Sequence, residues 1–218
     1  EVGYSSALTE DFALDINAYY NDIYNQLGYS YVAAADPYYL AEVGQYGTNK
    51  GVEIDLRKRV RDNFGFRLAY TLASVNGTSD GAQSSIGLPR DPITTNPALP
   101  LSTFRLDRDI THRLTTVLTF EWGEEEGPAI GGIYFLEDAY ATVTGNLRSG
   151  APYTLTEVNG TGQLSEINAL EGPASWSIDT RLGKKFALSD LFGEGMGNTS
   201  IEFYVDIFNL TNRTEAVN

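Results

Sequence analysis

The sequence contains no cysteine and a single histidine, His112. Without cysteine, these 218 residues cannot form a disulfide framework, a thiolate metal site or a cysteine nucleophile. One histidine leaves little from which to build a histidine-based catalytic or metal site. We therefore expect no enzymatic activity, no bound metal and no cofactor.

Basic residues are also scarce, with 15 Lys and Arg against 29 Asp and Glu, for a formal net charge of −14. This balance excludes a basic nucleic-acid-binding domain, so we expect no nucleic-acid partner. The same acidity disfavours polyanionic ligands through long-range electrostatics.

Long apolar runs are missing as well. The longest, residues 31–35, is far short of the roughly 18 residues that a membrane-spanning helix needs. Aromatic residues and glycine are instead plentiful, with 14 Tyr, 10 Phe, 2 Trp and 22 Gly. A disordered acidic chain would not be this aromatic, so we expect a folded structure without transmembrane helices.

Apolar and polar residues alternate along most of the chain, which is the period of a β-strand with one apolar face. In residues 63–73, Phe64, Phe66, Leu68, Tyr70 and Leu72 share one parity. We expect about eight antiparallel strands and no convincing helix. The segments are residues 2–8, 12–21, 51–60, 63–73, 113–122, 140–148, 174–188 and 200–209.

The connections between these segments alternate between short and long. Long polar links occupy residues 26–50, 76–109 and 150–173, whereas residues 61–63 form a tight turn. Transmembrane β-barrels of the bacterial outer membrane have this asymmetry, with short periplasmic turns and long extracellular loops. A soluble sandwich or lipocalin-like barrel also alternates, with its apolar face turned to the core, and this alternative stays open.

Two features favour lipid on the apolar face. Lys58, the charged residue of that parity, adjoins the turn at residues 61–63, where a lipid-facing lysine costs only about 0–1 kcal/mol rather than 2–4 at the midplane. Aromatic residues of the same parity collect near strand ends, as in interfacial girdles. The residues expected to face lipid are Val52, Ile54, Leu56, Phe64, Phe66, Leu68, Leu118, Phe203 and Val205. Those expected to face a lumen are Asp55, Arg57, Arg67, Glu202 and Asp206.

The turn also predicts a register. If Leu56 lies opposite Leu68, then Arg57 lies opposite Arg67 on the polar face. Like charges opposite one another are unfavourable. We therefore expect Asp55, or a carboxylate from outside this sequence, to relieve this repulsion.

Five short stretches carry a family resemblance: residues 49–59 (NKGVEIDLRKR), 109–113 (DITHR), 149–154 (SGAPYT), 179–186 (DTRLGKKF) and 203–213 (FYVDIFNLTNR). In this order the chain resembles the C-terminal half of the barrel of TonB-dependent outer-membrane transporters. It is most similar to the SusC- and Oar-like members of the Bacteroidetes type.

The resemblance implies an all-β, antiparallel transmembrane barrel of 22 strands, of which residues 1–218 would form one partial barrel domain without the plug and the final strand. It implies an active transporter for scarce or bulky nutrients such as siderophores, cobalamin, glycans or peptides. The implied location is the bacterial outer membrane. The implied partners are outer-membrane lipid, the TonB complex acting through a plug outside this sequence, a SusD-like surface lipoprotein and a nutrient ligand.

Two other classes remain open. A self-contained small outer-membrane barrel, acting as an anchor or adhesin, would pair its first strand with its last. A soluble ligand-binding barrel would bury Phe64, Phe66, Leu68 and Leu118 inside.

Ligand contacts are expected in the long loops, because loops on a rigid barrel vary without disturbing its strand pairing. The candidates are Tyr38, Tyr39, Tyr46, Arg105, Arg108 and Tyr153. The competing interpretation is that these side chains pack the loops against one another.

Overall fold

The computed structural model describes residues 1–32, 34–80, 102–157, 164–188 and 199–214. Within them, no helix is long and apolar enough to cross a bilayer. The described residues form thirteen strands: β1 (Val2–Ala7), β2 (Phe12–Val32), β3 (Tyr38–Arg61), β4 (Phe64–Gly77), β5 (Phe104–Arg105), β6 (His112–Glu121), β7 (Ala129–Ile130), β8 (Ile133–Tyr134), β9 (Ala139–Arg148), β10 (Pro152–Tyr153), β11 (Leu170–Glu171), β12 (Ser175–Ala187) and β13 (Ser200–Ile207).

Eight of these strands build one antiparallel meander in the order β1-β2-β3-β4-β6-β9-β12-β13. They are the eight segments that the alternation predicts, so the all-β antiparallel expectation is confirmed. β5 pairs with the end of β4, while β7–β8 and β10–β11 are separate two-stranded hairpins. Among the described residues the sheet is open, because β1 pairs only with β2 and β13 only with β12.

The expectation of a long loop at residues 26–50 is wrong. β2 and β3 span 21 and 24 residues and stay paired as far as Val32 and Tyr38. A β-bulge between Ile23 and Gln26, with Asn25 at a φ of 56°, shifts the register. Such a shift interrupts the period of two, so the continuation of the strands is hidden in the sequence.

This β2–β3 extension is a two-stranded ribbon. The pairing of β3 with β4 stops at Gly47, and residues 38–45 of β3 have β2 as their partner strand. The other two long connections lie partly outside the described residues, at 81–101 and 158–163.

Strand register gives the sheet one apolar and one polar face. One row of Cα partners across seven strands is Tyr4, Ile16, Ile54, Tyr70, Leu114, Leu147 and Trp176. The adjacent row, on the opposite face, is Ser5, Asp15, Asp55, Ala69, Thr115, Asn146 and Ser177. We call the first the apolar face and the second the polar face.

No second layer covers the apolar face in the described part of the chain. The large or cyclic apolar side chains buried there are Leu106 and Pro152, which belong to the connections rather than to the face. Phe64, Phe66, Leu68 and Leu118 are half-buried by their neighbours within the sheet, not enclosed. On the outermost strand, Phe203 is 65% exposed. The sheet therefore presents its apolar face outward from a single layer.

The tight turn between β3 and β4 contains Asp62 and Asn63, with φ of 55° and 65°. Asn and Asp tolerate this left-handed conformation, and two such residues in succession match the twist of a hairpin. At the same end of the sheet, rings of the apolar face form a row across β2, β4 and β6. Its centroid distances are 6.1 Å for Phe12–Phe66, 5.1 Å for Phe64–Phe120 and 6.4 Å for Phe120–Trp122.

Candidate functional site

The predicted register between β3 and β4 is confirmed on the polar face, where Arg57 lies opposite Arg67 and Leu56 opposite Leu68. Asp55 accepts a hydrogen bond from Arg67 Nε at 2.7 Å and lies 3.2 Å from Arg57 Nε. Arg57 also pairs with Asp15 of β2. Two carboxylates therefore relieve the repulsion between two arginines.

A second charged group lies on the polar face near the other edge of the sheet. Arg181 of β12 donates two hydrogen bonds to Asp206 of β13, at 2.6 and 2.8 Å. The Tyr140 hydroxyl donates to Glu202 at 2.6 Å. Bidentate pairing orients the planar guanidinium, and the group links side chains of β9, β12 and β13 across the polar face.

The register places the residues predicted to face a lumen and those predicted to face lipid on opposite faces of the sheet. All five residues predicted for a lumen lie on the polar face, and all nine predicted for lipid lie on the apolar face. Their contact with water and with lipid stays a prediction.

Replacing Asp55 by asparagine is expected to lower the urea midpoint of unfolding only slightly. The change leaves Arg57 and Arg67 facing each other, but both guanidinium groups are more than half exposed, so solvent screens their repulsion. The control is Glu53→Gln, on the same strand and face, which should leave the midpoint unchanged. Equal midpoints for the two variants would contradict the role of Asp55.

Lys58 is not the only charged residue on the apolar face, contrary to the expectation from sequence. The register places Lys184 there too, opposite Ala139 and Phe203, and Lys50 opposite Tyr20 and Ser74. Lys58 Nζ donates to the carbonyls of Arg61, at 3.0 Å, and of Phe64. Lys184 Nζ donates to the carbonyl of Phe135 at 3.0 Å. Both of these lysines therefore turn their charge toward the edge of the apolar face at the tight-turn end of the sheet. We call this edge the short-turn border.

The long connections meet in a compact group that we call the loop junction: Asp80, Arg105, Leu106, Asp107, Asp109, Thr154 and Asn168. Leu106 and Asp109 at its centre are each 1% exposed. Asp109 Oδ1 accepts the Val75 N–H at 2.9 Å, and Oδ2 lies 2.8 Å from Arg105 Nε. The hydrogen bond to Asp109 raises the pKa of Arg105 above its usual value.

Asn168 ties the third connection to the junction. Its Nδ2 donates to the Arg105 carbonyl at 2.8 Å and to Asp107 Oδ1 at 2.7 Å, and its N–H donates to Thr154 Oγ1 at 2.9 Å. Asp80 Oδ1 accepts the Asp107 N–H at 2.7 Å, while burial raises the pKa of the Asp80 carboxyl. The junction thus joins two connections, the one between β4 and β6 and the one between β9 and β12, through hydrogen bonds to buried or half-buried groups.

The six residues predicted to contact a ligand lie at or near the loop junction, in the ribbon and in β10. Arg105 pairs with Asp109, and Arg108 Nη1 donates to the Asp80 carbonyl at 3.0 Å, so both arginines contribute to loop packing. Tyr46 adjoins the junction, because its carbonyl accepts the Thr78 N–H at 3.0 Å.

The remaining candidates are exposed tyrosines. Tyr153 lies in β10 and is 41% exposed. Tyr38 begins the ribbon part of β3, about 25 Å along an extended strand from Tyr46. One small ligand could not touch all six candidates, and ligand contact by the tyrosines stays a prediction.

The stretches that carry the family resemblance meet one another in the fold. His112 N–H donates to Ser149 Oγ at 3.2 Å, and Ser149 N–H donates to the His112 carbonyl at 2.8 Å, which joins residues 109–113 to residues 149–154. The Asn209 N–H donates to Asp179 Oδ1 at 2.8 Å, which joins residues 179–186 to residues 203–213. These residues fix strand ends and loops rather than forming a reaction centre.

One motif that the sequence reasoning missed is a Gly-x-Ser-x-Gly match at residues 77–81. In hydrolases of this type the serine is exposed on a turn between a strand and a helix. Here Ser79 is 3% exposed. His112 lies opposite Leu72, about 20 Å from Ser79 for an extended chain, and its Nδ1 is 2.8 Å from the Tyr70 hydroxyl. This geometry gives a nucleophilic Ser79 no support.

No cluster of His, Asp and Glu suited to a metal ion occurs in the ranges that the structure describes. No protein-family model and no curated protein matches the sequence. The likeness to TonB-dependent transporters therefore rests on the five stretches.

Proposed function

We propose that residues 1–218 form part of the wall of a TonB-dependent outer-membrane active transporter. The observation that supports this best is the single-layer antiparallel meander, apolar across one face and polar across the other. In water, such a face would need a second layer, and the described residues supply none. Lipid is the solvent that matches an uncovered apolar face of this extent.

The height of the apolar band supports the same proposal. On β3 the band runs between Lys50 and Lys58, about 27 Å of extended strand. For a strand tilted by about 40°, this is roughly 20 Å across the bilayer, close to the band of about 25 Å typical of outer-membrane barrels. Beyond Lys50 the face becomes polar, where the Thr48 hydroxyl donates to Asp22 at 2.9 Å. Lysines at the borders of the band can reach the headgroups with their ammonium groups.

The polar face would line a hydrated lumen, with its charges neutralised in pairs such as Arg181–Asp206. The loop junction and the ribbon lie at the opposite end of the sheet from the tight turn and would form the extracellular side. By resemblance, a plug outside this sequence would gate the passage, and the TonB complex would act on that plug. Nutrient ligands and a SusD-like lipoprotein would bind at the extracellular side.

The unpaired outer strands favour a larger barrel over a small closed one. An eight-stranded barrel requires pairing of β1 with β13, and this pairing is not among those of the described residues. Open strand edges are not tolerated in lipid, so β1 and β13 would pair with further strands of the wall. The soluble barrel is disfavoured because Phe64, Phe66, Leu68 and Leu118 are not enclosed.

The test uses the intact protein extracted from outer membranes in detergent. We expect an intact mass several times 23.9 kDa, with peptides on both sides of this sequence. We further expect that cells lacking the TonB complex lose energy-dependent accumulation of the transported nutrient. A mass near 23.9 kDa would support a small anchor or adhesin, and accumulation that is independent of TonB would contradict an active transporter.

A further inference from the structure

We propose that the β7–β8 hairpin inserts its tip into the lipid interface at the short-turn side of the sheet and so acts as a membrane contact separate from the strands. The proposal rests on the proposed function, because it requires lipid along the apolar face. The partner is the phospholipid surface itself, at the boundary between headgroups and acyl chains.

The tip is an exposed apolar turn. Ile130 and Ile133 are Cα partners on either side of a two-residue turn. The turn residues Gly131 and Gly132 have φ of 63° and 84°, a conformation that glycine adopts without strain and that favours a tight hairpin. Ile130 is 74% and Ile133 72% exposed, and Phe135 follows on the same connection.

The base of the hairpin lies against the border of the apolar face. Lys184, which belongs to that face, donates to the Phe135 carbonyl at 3.0 Å. A Cβ at Gly127 would meet Trp122 Cδ1 at 3.0 Å and Leu136 Cβ at 3.3 Å, so the connection packs closely on the last ring of the aromatic row. The apolar tip therefore continues the border where lipid headgroups would lie.

The distribution of charge would let the tip enter lipid while the base stays hydrated. Five carboxylates crowd the base, at Glu124, Glu125, Glu126, Glu137 and Asp138, while the tip has none. Glu126 accepts hydrogen bonds from the Gly123 N–H and from Asn63 Nδ2, which lower the pKa of its carboxyl. An uncharged apolar tip can sit about 5–10 Å into the interface while the acidic base stays in water.

The experiment exploits the absence of cysteine from these residues. In the intact protein, with any cysteine outside this sequence replaced by serine, a single Ile133→Cys carries an environment-sensitive fluorophore. The protein is reconstituted in phosphatidylcholine vesicles. We expect blue-shifted emission that lipids brominated near the glycerol end of the acyl chain quench more than lipids brominated near the methyl end. An exposed tip position should accept the label without affecting folding.

Two matched labels separate the possible outcomes. Val143→Cys reports on the centre of the apolar face, and Glu124→Cys reports on the charged base. Lipid quenching at 133 and 143 but not at 124 supports the proposal. Quenching at 143 alone overturns it and leaves the proposed function standing, whereas quenching at neither overturns both. A label at 133 that is shielded from aqueous iodide yet unquenched by lipid also overturns it, because a protein surface would then cover the tip.

Discussion

Replacing Val143 by arginine is expected to lower the free energy of unfolding in lipid vesicles by about 2–4 kcal/mol. Val143 lies near the middle of β9 on the apolar face, with Leu118 and Thr180 as its cross-strand partners. In the proposed membrane it faces the hydrocarbon, where a guanidinium loses its hydration. The measurement is a urea titration of the intact protein in vesicles, followed by tryptophan fluorescence.

The next residue along the strand is the matched control. Thr144 lies on the polar face opposite Val117 and Asp179. Thr144→Arg should change stability by no more than about 0.5 kcal/mol, because an added cation there meets water and a carboxylate. Equal losses in the two variants would contradict the assignment of the faces.

A third arginine variant on the same strand distinguishes lipid from a covering layer of protein, because in lipid the cost of an arginine depends on its depth. Ala139 lies opposite Lys184 at the short-turn border. In lipid, Ala139→Arg should reduce stability by only about 0–1 kcal/mol, because an interfacial guanidinium stays hydrated. A loss as large as that of Val143→Arg would instead indicate that protein, not lipid, covers the face.

Replacing Asp109 by alanine is expected to destabilise the loop junction by about 1–3 kcal/mol, the range for a buried hydrogen-bonding group left without its partner. The carboxylate is 2% exposed, and the change leaves the Val75 N–H without its acceptor and Arg105 without its main partner. Hydrogen exchange at the amides of Val75 and Leu106 measures the opening of the junction directly. We expect exchange at both to accelerate strongly while the amides at the tight-turn end of the sheet stay protected.

The control for this change is Glu166→Ala, an exposed carboxylate on the same long connection as Asn168. It should leave exchange at Val75 and Leu106 unchanged. If Asp109→Ala behaved like Glu166→Ala, the junction would not depend on the buried carboxylate. If it instead unfolded the whole sheet, the junction would be part of the global folding unit rather than a separate local one.

The eight strands of the sheet could be predicted because their signal is local. Alternation with a period of two places each side chain on a face without reference to any distant residue. The turn residues Asp62 and Asn63 then set the register of β3 on β4, and with it the facing pair Arg57 and Arg67. The role of Asp55 between the two arginines followed from electrostatics alone.

The β2–β3 ribbon and the position of Lys184 on the apolar face could not be predicted in the same way. A single bulge near Asn25 shifts the parity, so the strand continues while its pattern breaks. Lys184 lies in a segment of weaker alternation, and only pairing with β9 and β13 shows which face it occupies. Both cases depend on a neighbouring strand that the local sequence does not identify.

By itself the sequence determined the class of this chain: all-β and antiparallel, with separate apolar and polar faces and no apolar run long enough for a transmembrane helix. These properties follow from composition and short-range periodicity. The tertiary structure decided where the long connections meet, because Asp109 binds Val75 across 34 residues and Asn168 binds Arg105 across 63. It also decided that the apolar face lacks a covering layer in the described residues, since burial is a property of all the strands together rather than of any one of them.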